Sequence, residues 1–216
     1  MRGDQEVVRL ANAVVMSKGF PLLSGVDLVI DRATLTIVTG ANGAGKTSLL
    51  RLLGGLDALT SGEGRVAGID LLDGDRRLLR RRVGWLGHEG SFYADLSARE
   101  NLEFAARALE RPVGEVAAAL ERVGLAHRAS TTTKRLSAGQ RRRLGIAWLL
   151  VRRPELWLLD EPYASLDDAG RVFFDGLLAD VLAGGATVVL SAHDALRSSD
   201  LESCEVRMVG GRVSAP

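Results

Sequence analysis

The run Gly40-Ala41-Asn42-Gly43-Ala44-Gly45-Lys46-Thr47 sets glycines, an amine and a hydroxyl at the spacing G-x-x-x-x-G-K-[ST]. That spacing cradles phosphate only where a strand leads into it and a helix leads out. Both flanks are present. Leu35-Thr36-Ile37-Val38 is an apolar strand-like run, and Ser48-Leu49-Leu50-Arg51-Leu52-Leu53 carries leucines at helical spacing. Glycines let successive backbone N–H groups turn inward, and the helix N-terminus adds partial positive charge at the same place. Lys46 then reaches toward β- and γ-phosphates, and the Thr47 hydroxyl is suited to Mg²⁺. A bound nucleotide is the expectation.

Acids follow far downstream. Leu156-Trp157-Leu158-Leu159 ends in Asp160-Glu161, the pattern of a buried parallel strand that delivers carboxylates at its C-terminal edge. Asp160 suits a Mg²⁺ shell and Glu161 suits a base that orients an attacking water. The alternative for this pair is a strand end followed by a capping acid. A second apolar run, Ala186-Thr187-Val188-Val189-Leu190-Ser191-Ala192, ends in His193, either a donor to a γ-phosphate or a cap of the next turn. A third, Val83-Gly84-Trp85-Leu86-Gly87, ends in His88 and Glu89, where a sheet enzyme places site residues. A loop histidine without a role is the other reading of His88. Leu136-Ser137-Ala138-Gly139-Gln140 opens a helix with small polar residues and offers a second anion-binding N-terminus, a weak signal by itself. Phe20 is either a platform for an adenine ring or a packing residue.

The elements that position these groups follow from the patterning. Residues 6–39 read as β-rich, with short β-branched runs broken at Lys18-Gly19-Phe20-Pro21 and Asp31-Arg32. Thr60-Ser61-Gly62-Glu63-Gly64 reads as a turn cluster before a short strand at 64–68. From Leu96 to Leu150 the apolar spacing is helical, with Ser97 and Glu100 spaced as a capping box and Gly124 as a helix stop. The tail from Val206 to Val213 reads as a strand pair turning at Gly210-Gly211. Arg76-Arg77-Leu78-Leu79-Arg80-Arg81-Arg82 resembles a nucleic-acid patch, but the interleaved leucines favour a solvated amphipathic helix.

Composition narrows the classes further. The 216 residues are 46% hydrophobic and 25% charged, with a net charge of +1, which argues against bulk nucleic-acid or anionic-membrane binding. Cys204 is the only cysteine, so an internal disulfide and a cysteine metal cluster are both excluded. The start carries no apolar signal region, and no run reaches the roughly 18 apolar residues of a spanning helix. A soluble protein on the cytoplasmic side is expected, with any membrane role exerted through a partner.

Taken together, the motifs resemble those of the nucleotide-binding subunit of ATP-binding-cassette (ABC) transporters, over nearly the whole chain. The phosphate loop at 40–47, the signature at 136–140, the acids at 160–161, the loop Ala164-Ser165-Leu166-Asp167 and the switch histidine His193 occur in that order. The resemblance implies an α/β fold, a P-loop NTPase of ABC type with an N-terminal antiparallel β-subdomain and an inserted helical subdomain. The β-subdomain and core would span 1–88 and 151–216, the helical subdomain 89–150. It also implies ATP and Mg²⁺ as cofactors, ATP hydrolysis, and a peripheral location on integral membrane transporter subunits, without nucleic acid. Two copies would pair head to tail around ATP, with Ser137, Gly139 and Gln140 of one copy over the γ-phosphate held by residues 40–48 of the other. Lys46, Glu161 and His193 would act on the γ-phosphate and water, while Thr47 and Asp160 hold the metal. Where the family carries a glutamine as a further metal ligand, this chain has His88, followed by Glu89. The signature has Ala138 where glycine is usual.

A narrower likeness is to the ATP-binding subunit of the haem exporter in cytochrome c maturation. It rests on Leu86-Gly87-His88, Leu96-Ser97-Ala98-Arg99-Glu100-Asn101-Leu102, the arginine-rich run after the signature, and Leu156 through Pro162. That group has Gly-His-Gln where this chain has Gly87-His88-Glu89. Competing readings are an ATPase subunit of another exporter, a small-molecule kinase on the same loop, and a soluble cassette protein acting on ribosomes or DNA. A phosphorylated metabolite in place of free phosphate would mark the kinase.

Overall fold

The structure is a computed structural model that describes residues 5–87, 92–164, 166–193 and 201–214. Two compact units form, one from the chain up to Trp85 and from Glu155 onward, the other from Leu86 to Pro154.

The first unit opens with two long strands, β1 (Glu6–Ser17) and β2 (Phe20–Asp31), paired antiparallel. With β4 (Ser61–Val66) and β5 (Ile69–Asp70) they make a four-stranded sheet in the order β2-β1-β4-β5. The turn cluster expected at 60–64 is instead largely strand. β1 carries a bulge, marked by register shifts between Leu10 and Ala13 against β2 and between Ala11 and Val14 against β4. The bulge brings the Asn12 carbonyl against Gly62, where an added Cβ would stand 2.1 Å from Asn12 O and where φ is +88°. Only glycine fits there, so residues that look like a turn in sequence serve as a strand opposite a bulge.

A six-stranded sheet follows, in the order β10-β9-β3-β8-β7-β6. Its members are β3 (Leu35–Thr39), β6 (Val83–Leu86), β7 (Leu156–Leu159), β8 (Thr187–Ser191), β9 (Cys204–Val209) and β10 (Arg212–Val213). β8 runs parallel to both β3 and β7, and β9 runs parallel to β3. All residues of β3, β7 and β8 are buried, as a parallel strand covered on both faces requires. The helix α1 (Lys46–Leu53) touches β1 and β2 of one sheet and β7 and β8 of the other. Leu49, Leu50, Leu52 and Leu53 are therefore all fully buried. At about 1.5–3 kcal/mol each, these leucines make α1 the peg of this core. The arginine-rich run forms the helix α2 (Arg76–Arg82), capped by Asp75, with Leu79 buried and the arginines along the remaining faces. The helix α6 (Asp168–Ala183) is capped by Asp167, which accepts from Gly170 N at 2.7 Å.

The second unit packs α3 (Ala98–Ala108), α4 (Glu115–Arg122) and α5 (Ala138–Arg152) on one another. Both α3 and α5 begin with a complete capping box, Ser97 with Glu100 and Ser137 with Gln140. Its polar knot is Asn101, which is fully buried. Asn101 Oδ1 accepts from Tyr93 N at 2.9 Å, and Nδ2 donates to Ser97 O and Thr133 Oγ1, each at 3.0 Å. Replacing it with leucine keeps the volume but strands buried donors and acceptors, at about 1–3 kcal/mol for each group left unmade. Asn101→Leu is expected to lower Tm by roughly 6–12 °C, at about 2–4 °C per kcal/mol in a chain of this size. A melting curve within 2 °C of wild type would show that the knot is dispensable. Among the described residues no helix is long and apolar enough to cross a membrane.

Candidate functional site

The phosphate loop lies where the sequence places it, between the end of β3 and the start of α1. Its first glycine has no substitute. Gly40 has φ +140°, and an added Cβ would meet Met208 O of β9 at 2.4 Å. Gly43 and Gly45 also have positive φ. Lys46 is 6% exposed, and its ammonium donates to Gly40 O at 2.7 Å and Ala41 O at 3.2 Å, inside the curl of the loop. Asn42 through Ser48 line a cavity of about 470 Å³, together with Pro21, Leu22, Glu161 and the Gly210-Gly211 turn. Ala41 is exposed at the start of the loop.

That last turn is a contact the sequence did not signal. Gly211 N donates to Ala44 O at 2.9 Å, and Gly211 O accepts from Ser24 N at 2.8 Å. The β9–β10 turn thus ties the outside of the phosphate loop to β2.

Of the acids, Glu161 lines the same cavity, and Asp160 reaches it through Thr47. β7 delivers Asp160, 9% exposed, whose carboxylate accepts from Thr47 Oγ1 at 2.9 Å to Oδ2 and 3.2 Å to Oδ1. A hydroxyl beside a carboxylate is a hard oxygen donor set. Among the described residues no group of three or more His, Cys, Asp or Glu forms a cage for a metal. One carboxylate with one hydroxyl is what an ion shared with phosphate oxygens and water requires of the protein. Glu161, the next residue, lines the cavity and adopts φ +48°. His193 stands at the end of β8 with Nε2 3.3 Å from Glu161 Oε1. A further residue joins them that the sequence reading passed over as part of an apolar strand. Ser191, fully buried, donates from Oγ to Asp160 Oδ1 at 2.6 Å and accepts from Glu161 N at 2.8 Å. A hydroxyl at the end of a parallel strand was the available signal, though its partners depend on strand order.

The remaining expected site residues are placed as follows. Ser137, Gly139 and Gln140 open α5 in the second unit. Ser137 Oγ accepts from Gln140 N at 3.2 Å, and Ser137 N donates to Gln140 Oε1 at 3.0 Å. Gly139 is exposed, with open space where a Cβ would stand. Phe20 is 74% exposed at the start of β2, beside Pro21 and Leu22 at the cavity wall. His88 and Glu89 lie outside the described residues, as does Ser165. Next to the acids, the Tyr163 hydroxyl donates to Asp175 Oδ1, and burial followed by this bond pushes the phenol well above its ordinary range.

Comparison with known proteins agrees with this geometry. The sequence pattern of the ABC transporter family matches residues 23–164. The cytochrome c biogenesis ATP-binding export protein CcmA of Rhodopseudomonas palustris (strain BisB5) is 44% identical over 161 residues, covering 74% of this chain and 78% of that protein. The protein of the same name from Bradyrhizobium diazoefficiens is 40% identical over 193 residues, covering 89% and 92%. Among solved structures, a dimeric ATP-binding cassette in a post-hydrolysis state bound to ADP and Pi superposes with a TM-score of 0.87 at 26% identity, covering 96% of this chain and 97% of that one. The cbiO1 protein of Clostridium perfringens, part of the ABC transporter complex cbiONQ, gives 0.82 at 28% identity, covering 98% and 88%. With a strand–loop–helix cradle, two consecutive acids at the end of the parallel strand β7 and a helical unit whose helix α5 starts at the signature run, the chain belongs to the ABC transporter family, as one of its ATP-binding domains.

Proposed function

We propose that the chain hydrolyses ATP to drive an exporter in the biogenesis of cytochrome c, with haem as the exported substance and separate integral membrane subunits forming the path. The observation that carries the ATPase half is one cavity lined by Lys46, Thr47 and Glu161, with Asp160 bonded to Thr47 and His193 against Glu161. Loop N–H groups and Lys46 bind the triphosphate and lower its charge. Thr47 and Asp160 would hold Mg²⁺, which would offset negative charge on the phosphates. Glu161 takes the proton of the attacking water and orients it, since both Asp160 oxygens already accept hydroxyl bonds. His193 holds Glu161 on the γ-phosphate side and senses whether that phosphate is present.

In this reading the exposed start of α5, with Ser137, Gly139 and Gln140, faces the ATP of a second copy in a head-to-tail dimer. A helix N-terminus with a small exposed residue is suited to that contact. The export half is supported by relatives of about 40% identity that span most of both chains.

Co-purification tests it directly. The tagged chain, extracted from native membranes in mild detergent with ATP, is expected to bring down multi-span membrane proteins and a haem-handling protein. Multi-span partners with no link to haem would leave the transporter and remove the cytochrome c assignment. Recovery of the chain without any membrane protein would overturn both.

A further inference from the structure

Strand β8 lies between β3, which leads into the phosphate loop, and β7, which carries the acids. Its pairing runs Val38↔Ser191 on one side and Leu159↔Leu190 on the other, so Ser191 comes level with the end of both neighbours. The side chain is fully buried there. A serine hydroxyl has one proton to give. It goes to Asp160 Oδ1 at 2.6 Å, which turns a lone pair toward the Glu161 N–H at 2.8 Å. One atom therefore holds the side chain of one acid and the main chain of the next.

Both holds matter to the chemistry. Asp160 also accepts from Thr47 Oγ1, so both oxygens of its carboxylate are held by hydroxyls. Glu161 sits at φ +48°, a left-handed conformation that is uncommon for a residue with a Cβ and is favoured where contacts hold the main chain. The Ser191 bond is such a contact. Two residues further along the same strand end stands His193, 3.3 Å from the Glu161 carboxylate. Displacement of β8 would thus move both acids and the histidine together.

We propose that Ser191 is a positioning residue of the hydrolytic site, its buried hydroxyl fixing the Asp160 carboxylate and the Glu161 main chain as one unit. This rests on the roles given to Asp160 and Glu161 above. Partners of metal-binding carboxylates typically contribute 10–100-fold to affinity or activity, and small displacements of reacting groups cost about as much.

The test compares wild type, Ser191→Ala, Ser191→Thr and Glu161→Gln in steady-state ATP hydrolysis. A second readout is Mn²⁺ affinity, read by electron paramagnetic resonance with a non-hydrolysable ATP analogue. Ser191→Ala is expected to lower kcat about 10–100-fold with KM for ATP within roughly threefold, and to weaken Mn²⁺ binding by at least about tenfold. Ser191→Thr, which keeps the hydroxyl, is expected to recover Mn²⁺ affinity. An inactive Glu161→Gln beside a Ser191→Ala of wild-type rate and metal affinity overturns the positioning role and leaves the site reading standing. A Glu161→Gln that hydrolyses like wild type overturns the site reading itself, and this inference with it. Loss of rate in Ser191→Ala without any change in Mn²⁺ affinity reduces Ser191 to a packing role. A measurement that needs no variant is amide exchange of Glu161 in the nucleotide-free wild-type protein. Protection is expected from the bond to Ser191, and exchange at the rate of an unbonded amide overturns the proposal.

Discussion

Glu161→Gln is expected to bind ATP as wild type does and to hydrolyse it at least a hundredfold more slowly. The expectation follows from which oxygens are already occupied. Asp160 accepts hydroxyl bonds on both its oxygens, from Thr47 and Ser191, and is only 9% exposed. Glu161 lines the cavity, with 30% of its side chain exposed and His193 as its neighbour. Of the two acids, Glu161 is the one that lines the cavity, and in the proposed function the attacking water falls to it. A positioned general base contributes about 10²–10⁴-fold, and an amide cannot take the proton. The substitution keeps size and leaves the main-chain bond to Ser191 in place, so the fold and the phosphate loop should not notice it. Retained binding is read as an ATP-induced rise in Tm. At ligand concentrations about 100-fold above Kd, that rise corresponds to roughly 2.7 kcal/mol, or about 5–10 °C for a chain of this size. The trapped nucleotide should also favour an ATP-bound dimer on a sizing column. Hydrolysis at the wild-type rate would remove Glu161 from its role.

The residues that can be read from sequence are those whose function needs a local chain pattern. Gly40 to Thr47 are legible because the loop works only as strand, glycine turn and helix in immediate succession. Asp160 and Glu161 are legible because a parallel strand buried on both faces must be apolar until its end. The Ser97–Glu100 cap is legible because both partners lie within one helical turn. Ser191 was not, since its neighbours are decided by β8 lying between β3 and β7, a matter of strand order. The same holds for Gly210-Gly211, a plain hairpin turn until its contact with Ala44 and Ser24 is known. Ser61 to Gly64 have turn chemistry, yet the bulge at Asn12 converts them to strand. Asn101 reads as one more helical residue, although the hydroxyl it bonds, that of Thr133, belongs to a distant segment. Resemblance to a family filled the gap for Ser137 to Gln140, whose local signal is only a capped helix start.

Lys46→Met is expected to abolish the ATP-induced rise in Tm and to leave the Tm of the nucleotide-free protein within about 4 °C of wild type. The two halves have separate causes. In the nucleotide-free protein the ammonium is buried and donates to two loop carbonyls, Gly40 O and Ala41 O. Among the described residues it makes no ion pair. A buried cation held by carbonyl dipoles gains little over its lost hydration, and an apolar chain of similar length in its place is often neutral or stabilising. Lys46 itself lines the cavity, from which water can take over the bonds it gives up. Stability should therefore change by about 1 kcal/mol or less, which is roughly 2–4 °C. With nucleotide the account reverses. The same ammonium meets phosphate oxygens, where a charge-assisted hydrogen bond contributes about 1.5–3 kcal/mol, tenfold or more in affinity for each 1.4 kcal/mol. Charge that builds on the γ-phosphate during hydrolysis adds a loss of about 10²–10³-fold in kcat. Contrast with Glu161→Gln makes the pair decisive, because one variant keeps the ligand-induced shift and the other loses it while both stop hydrolysis. A Lys46→Met protein with a wild-type shift would mean that the glycine loop alone binds the phosphates. A Lys46→Met protein that melts 10 °C lower without nucleotide would mean that the lysine is holding the loop together.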